Sequence, residues 1–178
     1  MSSDLNILLA GFGGQGILFA GKAIAYAGLM DGKEVSWLPS YGPEMRGGTA
    51  NCSICISDKP IGSPLVSNPN VFVAMNLPSF EKFIDAAEPG ATVIVDSSLI
   101  GKKTERTDLR ISYIPASGLA EEKGLKGLAN MIIIGKLLKE TGFTSLENLE
   151  KALQKCIPPR KANLLEANLK AIHLGMDL

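Results

Sequence analysis

The chain has 178 residues, 46% hydrophobic and 20% charged, with 18 Lys plus Arg against 18 Asp plus Glu. The apolar content excludes a largely disordered chain, and the neutral balance gives no electrostatic footprint for nucleic acid or an anionic membrane. Three cysteines make no disulfide framework, no apolar run approaches the ~20 residues that span a bilayer, and Met1-Ser2-Ser3-Asp4 lacks the basic start of a signal peptide. A soluble, cytoplasmic protein with one domain over residues 1–178 is expected. Near-zero net charge suits a subunit better than a free monomer.

Leu5 to Ala10 is short and apolar and runs into glycines, which predicts a buried strand. Ile17 to Met30 has a broad apolar helical face, stopped by Asp31-Gly32. Glu34 to Leu38 predicts a second strand, ended by Pro39. This βαβ pattern favours parallel pairing with a right-handed crossover. Pro39 to Gly48 is a loop. In Thr49 to Ser57, Ala50, Cys52, Ile54 and Ile56 share one face and Asn51, Ser53, Cys55 and Ser57 the other. That predicts a strand with a drier and a wetter side, antiparallel to its neighbours. Residues 58–70 hold three prolines and predict loop. Val71 to Met75 predicts a strand, Pro78 to Ala87 a short helix, and Ala91 to Val95 a buried strand. Residues 101–110 (GKKTERTDLR) predict a solvated connection. Ile111 to Ile114 predicts a strand and Pro115 a turn. Three helices follow over Leu128 to Glu140, Ser145 to Cys156 and Lys161 to Leu174, with Gly142 closing the first and Thr144 or Ser145 capping the second. The expected fold is α/β, a three-layer domain with a mainly parallel, mixed central sheet and a helical C-terminal third.

Gly11-Phe12-Gly13-Gly14-Gln15-Gly16 places G-x-G-x-x-G between a strand and a helix. Glycines permit a tight turn and close approach, and a helix N-terminus offers free N–H groups to an anion. A dinucleotide site also needs an acid at the end of the second strand for the ribose hydroxyls. That strand ends Trp37-Leu38-Pro39-Ser40, and Glu34 stands at its other end. A bare turn, another anionic ligand and a partner's backbone remain open as its use. In Tyr41-Gly42-Pro43-Glu44-Met45-Arg46-Gly47-Gly48, Arg46 beside two glycines can hold a carboxylate or phosphate in bidentate fashion, or pair with Glu44. Cys52 and Cys55 spell C-x-x-C, but positions three apart on a strand face opposite ways and do not chelate together. His173 reads as a helix-end residue. No nucleophile elbow, Walker A lysine or suggestive carboxylate pair is present, so no catalytic residue and no metal ligand is assigned. Ligands of α/β sheets sit beyond the carboxyl ends of strands. The glycine turn, Ser40 to Arg46, Asn76 and Asp96 with Ser97 and Ser98 are expected to gather there.

The segments GFGGQGILFAGKAIAYAG, SYGPEMRGGTANCSICISD, IGSP and AMNLPSFEKF, with Asn130 in GLANMIIIGKLL, resemble the gamma subunit of 2-oxoacid:ferredoxin oxidoreductases. The resemblance is nearest to the 2-oxoglutarate and branched-chain forms, extends to the matching domain of single-chain pyruvate:ferredoxin oxidoreductases, and covers nearly the whole chain. It implies an enzyme that decarboxylates a 2-oxoacid on thiamine diphosphate, passes electrons through iron–sulfur clusters to ferredoxin and forms an acyl-CoA. Thiamine diphosphate, Mg2+ and the clusters are implied for alpha, beta and delta partners. For this chain the resemblance implies packing on the catalytic subunits and help in binding or admitting coenzyme A. The implied contacts are Gly11, Gly13, Gly14, Gln15 and Gly16 with Tyr41, Glu44, Arg46, Gly47 and Gly48. Asn76, Ser97 and Ser98 join them from the strand-edge argument. The alternative is a stand-alone, Rossmann-like nucleotide-binding protein that uses the glycine turn.

Overall fold

The structure, a computed structural model, describes residues 4–40 and 49–178. Its six strands are β1 (Leu5–Phe12), β2 (Glu34–Ser40), β3 (Thr49–Ser57), β4 (Val71–Ala74), β5 (Thr92–Asp96) and β6 (Arg110–Ile114). Its helices are α1 (Ile17–Met30), α2 (Leu77–Phe83), α3 (Ala116–Glu122), α4 (Ala129–Thr141), α5 (Leu146–Cys156) and α6 (Leu165–Met176). The strands form one sheet in the order β2-β3-β1-β4-β5-β6. β1, β4, β5 and β6 are parallel, and β3 is antiparallel to both β1 and β2.

Alternation along the strands divides the core in two. Ile7 and Leu9 of β1, Val71 and Val73 of β4 and Ile94 of β5 face a layer of α1 and α3 to α6. Leu8, Ala10, Phe72, Ala74, Val93 and Val95 face α2 and coil that supplies Val66 and Ile100. Every position of β4 and β5 is buried, as expected for strands covered on both sides. The three-layer α/β architecture with a helical C-terminal third is therefore as the sequence predicts. Among the described residues, no helix is long and apolar enough to cross a membrane.

Several local expectations are corrected. β1 and β2 run the same way but do not pair, because β3 inserts between them with Leu9 opposite Cys52 and Ile54 opposite Trp37. β2 continues through Pro39 to Ser40, which an edge strand tolerates because its outer N–H groups need no partner. The wetter side of β3 is covered. Ser53, Cys55 and Ser57 are buried, and Ser53 Oγ accepts from the Val66 N–H at 3.2 Å as the 58–70 segment folds back. The charged connection is anchored: Arg106 donates to the carbonyls of Ile84 (3.0 Å) and Ala87 (2.8 Å) and to both carboxylate oxygens of Asp108. The predicted 78–87 helix is α2 followed by a 3-10 turn over Ile84–Ala86, and the last helix begins at Leu165 after a 3-10 stretch at Pro159–Leu164. Where Pro115 predicts only a turn, α3 forms directly behind it. The caps expected at Ser145 and Gly142 are present.

Candidate functional site at the carboxyl edge

The crossovers fix where a ligand fits. From β1 the chain leaves through α1 on one face of the sheet, and from β4 through α2 on the other. A crevice therefore opens between the carboxyl ends of β1 and β4, the switch point at which open α/β sheets hold ligands. The glycine turn fills its lip. A Cβ on Gly11 would stand 2.5 Å from Gln15 Oε1 and 3.0 Å from Met75 Cβ, so only glycine lets β1 end this close to β4. Gln15 staples the lip: its Oε1 accepts from the Phe12 N–H at 2.6 Å and its Nε2 donates to the Met75 carbonyl at 2.9 Å.

Gly16 closes the turn in the left-handed region (φ 73°) and caps α1. It offers no side-chain acceptor, and no acid lies in the first turn of α1. The positive end of a 14-residue helix thus faces the edge without an internal anion. Asn130, at the start of α4, donates its Nδ2 to the Gly16 carbonyl at 3.1 Å. Behind the lip lies a cavity of about 280 Å³ lined by Gly14, Gln15, Met75, Ser117, Glu121 and Lys126, among others. Lys126 is its cationic group.

The structure brings Gly11, Gly13, Gly14, Gln15 and Gly16 to this edge together with Asn76, Ser97 and Ser98, which follow β4 and β5. The last three are largely committed to the fold. Asn76 is 1% exposed and caps α2, its Oδ1 accepting from the Ser79 N–H at 2.9 Å. The Ser97 N–H donates to the Ile114 carbonyl at 2.8 Å. The Ser98 N–H donates to Asp96, and Ser98 Oγ accepts from the Gly118 N–H at 3.0 Å. Asp96, fully buried at the end of β5, also accepts from the N–H and the hydroxyl of Ser117, pinning α3 to the sheet. Tyr41, Glu44, Arg46, Gly47 and Gly48 lie outside the described residues. The flanking Ser40 and Thr49 stand at this same edge, opposite Asn51 and Phe12. Sequence reasoning did not assign Met75, Ser117, Glu121 or Lys126, and it gave Asn130 no contact.

The C-x-x-C pair is split as predicted. Cys52 sits in the core under α1, and Cys55 faces the other layer, where its thiol donates to the Ser63 carbonyl at 3.7 Å. Among the described residues no three His, Cys, Asp or Glu side chains gather as a metal site. Burial pushes the Cys52 thiol up to about 12. Folding therefore favours the neutral thiol, a contribution fully present below the ordinary thiol value of 9.0 and lost as pH rises towards 12. Ellman's reagent at pH 8 is expected to leave Cys52 unmodified in the native chain and to titrate it only after denaturation. Labelling of native Cys52 at the rate of half-buried Cys156 would contradict this packing.

The family model for pyruvate ferredoxin/flavodoxin oxidoreductase matches residues 6–178. The chain is 37% identical over 180 residues to 2-oxoglutarate synthase subunit KorC of Methanothermobacter marburgensis, covering 97% of this chain and 95% of that one. It is 35% identical over 177 residues to ketoisovalerate oxidoreductase subunit VorA of the same organism, covering 98% of this chain and 36% of that one. The chain thus spans about a third of VorA's length. Among solved structures it resembles the gamma subunit of a keto/oxoacid ferredoxin oxidoreductase from Geobacter sulfurreducens, with TM-score 0.83, 28% identity and coverage of 97% and 96%. It also resembles a 2-oxoglutarate:ferredoxin oxidoreductase from Magnetococcus marinus, solved with 2-oxoglutarate, coenzyme A and succinyl-CoA bound, with TM-score 0.89, 27% identity, and coverage of 99% of this chain and 31% of that one.

Proposed function

The chain belongs to the pyruvate ferredoxin/flavodoxin oxidoreductase family, and we propose that it is the gamma component of a 2-oxoacid:ferredoxin oxidoreductase, acting on 2-oxoglutarate in preference to other 2-oxoacids. The observation that carries this is near end-to-end similarity to proteins of that kind: 95% of a 2-oxoglutarate synthase subunit and 96% of a solved gamma subunit are covered. In this reading residues 1–178 act as one gamma domain in a cytoplasmic hetero-oligomer. Alpha, beta and delta chains hold the thiamine diphosphate, Mg2+ and iron–sulfur clusters, and ferredoxin takes the electrons. Bound to the alpha and beta chains, thiamine diphosphate supplies the decarboxylation chemistry. The isolated chain turns over no 2-oxoacid.

This chain's part is at coenzyme A. The carboxyl edge fits such a ligand in charge and shape. The N-terminus of α1, capped by a glycine with no side-chain acceptor, favours a phosphate, Lys126 adds a positive charge beside Glu121 of the same lining, and the cavity beside Met75 accepts a slender, partly apolar arm. Gly11, Gly13, Gly14, Gln15 and Gly16 shape the entrance, with Tyr41, Glu44, Arg46, Gly47 and Gly48 as further contacts, and Asn76, Ser97 and Ser98 support the same edge from the ends of β4 and β5. The residues of this chain bind and orient, and they move no proton.

The alternative, a stand-alone nucleotide-binding protein, is disfavoured by the sheet. A dinucleotide fold pairs its first two strands in parallel and puts an acid at the end of the second. Here antiparallel β3 occupies that place, and Glu34 of β2 lies at the opposite edge. The test is reconstitution with the alpha, beta and delta chains of the same source, following 2-oxoacid- and CoA-dependent reduction of a viologen dye. Activity or its CoA dependence is expected to require this chain. Equal turnover without it, with tight NAD binding by the isolated chain in calorimetry, would establish the alternative instead.

A further inference from the structure

The start of α3 is not written in its own sequence. Its N-cap is Pro115, which offers no side-chain acceptor, so the first N–H groups of the helix need partners from elsewhere. β5 supplies them. Asp96, its last residue, accepts from the Ser117 N–H at 3.2 Å and from the Ser117 hydroxyl at 2.5 Å. Two residues on, Ser98 Oγ accepts from the Gly118 N–H at 3.0 Å. The second and third residues of α3 are thus capped from 21 and 20 residues upstream. Asp96 is fully buried, and among the described residues no Lys or Arg pairs with it. A buried charge held by N–H and O–H donors alone is a costly fastener where a local cap would serve, as Ser145 serves α5. Sequences depart from local consistency in this way mainly where a site needs it.

We propose that Asp96 and Ser98 are positioning residues for coenzyme A, fixing through α3 one wall of the cavity behind the glycine turn. The inference rests on the coenzyme A reading above. Ser117, Ala120 and Glu121 stand at i, i+3 and i+4, so one face of α3 lines that cavity of about 280 Å³. The turn that follows α3 carries Lys126 into the same lining. Neither Asp96 nor Ser98 is part of it, so both act through α3. The facing wall is held by Gln15, which bonds Met75 at the end of β4. β4 and β5 are neighbours, with Ala74 opposite Val95, so the two fasteners stand side by side and set the distance between the walls. If the cap on α3 slackens, Glu121 and Lys126 move relative to the glycine turn, and a wall displaced by about 1 Å no longer matches the ligand.

The test uses the enzyme reconstituted with its alpha, beta and delta chains. Viologen reduction reads half-saturating CoA, half-saturating 2-oxoglutarate and the rate at saturating CoA. Calorimetry of CoA against the same complex without 2-oxoacid gives an affinity independent of turnover. Asp96→Asn keeps the shape but turns amide N–H groups toward N–H donors. Ser98→Ala is the milder variant, at an exposed position, should Asp96→Asn fail to fold. Each is expected to raise half-saturating CoA and the Kd for CoA about tenfold. Half-saturating 2-oxoglutarate and the rate at saturating CoA should change less than about twofold. Ser145→Ala strips the cap of α5, which does not line the cavity, and is expected to lower the melting temperature while leaving CoA binding unchanged. Lower melting temperatures with wild-type CoA values in Asp96→Asn and Ser98→Ala would leave the cap to the fold alone and overturn the proposal. So would an equal CoA shift in Ser145→Ala. Lys126→Glu, on the lining itself, tells two failures apart. If it shifts CoA binding and the cap variants do not, only the positioning role falls. If none of the three moves it, the cavity does not hold coenzyme A, and that reading falls together with this inference.

Discussion

Gly135→Ala is expected to lower the melting temperature by roughly 10 °C, or to abolish soluble folding. A Cβ at Gly135 in α4 would drive into the carbonyl group of Ile172 in α6, and one at Gly175 in α6 into the carbonyl of Ile132 in α4. The two helices therefore cross backbone on backbone, with Ile132 and Ile172 fully buried at the crossing. Neither side chain can yield, because the obstacle in each direction is main chain. The helices must separate, and separation opens voids beside Met131, Ile132 and Ile172. Overpacking of a close-packed core costs about 1–3 kcal/mol where side chains can shift, and a backbone obstacle belongs at or above the upper end. For a chain of this length about 3 kcal/mol corresponds to roughly 10 °C. Gly101→Ala, at an exposed position with open space around its Cβ, is the control and should stay within about 0.5 kcal/mol. Circular dichroism melts of the two variants measure the difference. Equal melting temperatures would mean that α4 and α6 do not touch as described.

The periodicities gave most of the elements because their causes are local. β4 and β5 are short runs buried on both sides, and α1 is bounded by a glycine turn and Asp31-Gly32, so propensity and packing agree there. The sheet order was not legible. A βαβ reading of residues 5–38 leads to adjacent parallel strands, yet a strand from residues 49–57 takes the place between them. What seats β3 is a covered second face, made when the 58–70 segment folds over Ser53 and Cys55, and no local pattern encodes that return. α3 was missed because seven residues show little period. Its position depends on Asp96, 21 residues earlier. At the site, the glycines were readable from spacing, but the two amides that hold them were not. Gln15 reaches Met75 across 60 residues and Asn130 reaches Gly16 across 114. Asn76 carried a signal that the edge argument did not use. Asn followed by Leu-Pro-Ser is a helix N-cap with proline in the first turn, and capping is what its amide oxygen does.

Gly16→Ala is expected to cut the CoA-dependent rate of the reconstituted enzyme by about 100-fold while the chain still folds. Two separate costs fall on this position. Its φ of 73° is left-handed, which costs a residue with a side chain about 1–2 kcal/mol. A Cβ there would also overlap the Asn130 amide, displacing the Nδ2 that donates to the Gly16 carbonyl. Losing that bond adds about 1 kcal/mol. A total of about 2–3 kcal/mol is tolerable for a chain of this size. Function is hit harder, because Gly16 joins the lip of the crevice to the first turn of α1. If the turn rotates to relieve the overlap, the N–H groups of α1 no longer point where the proposed CoA phosphate would sit, and a displacement of about 1 Å costs on the order of 100-fold in rate. Asn130→Ala separates the two costs. It removes the overlap but leaves the left-handed φ and the lost hydrogen bond, so Gly16→Ala combined with Asn130→Ala should recover much of the lost rate and little of the lost stability. Viologen reduction against CoA concentration, with melts of each variant, reads both quantities. A Gly16→Ala enzyme with wild-type rate and unchanged half-saturating CoA would show that the turn serves the fold alone, and would move the CoA contacts to the 41–48 segment or to a partner chain.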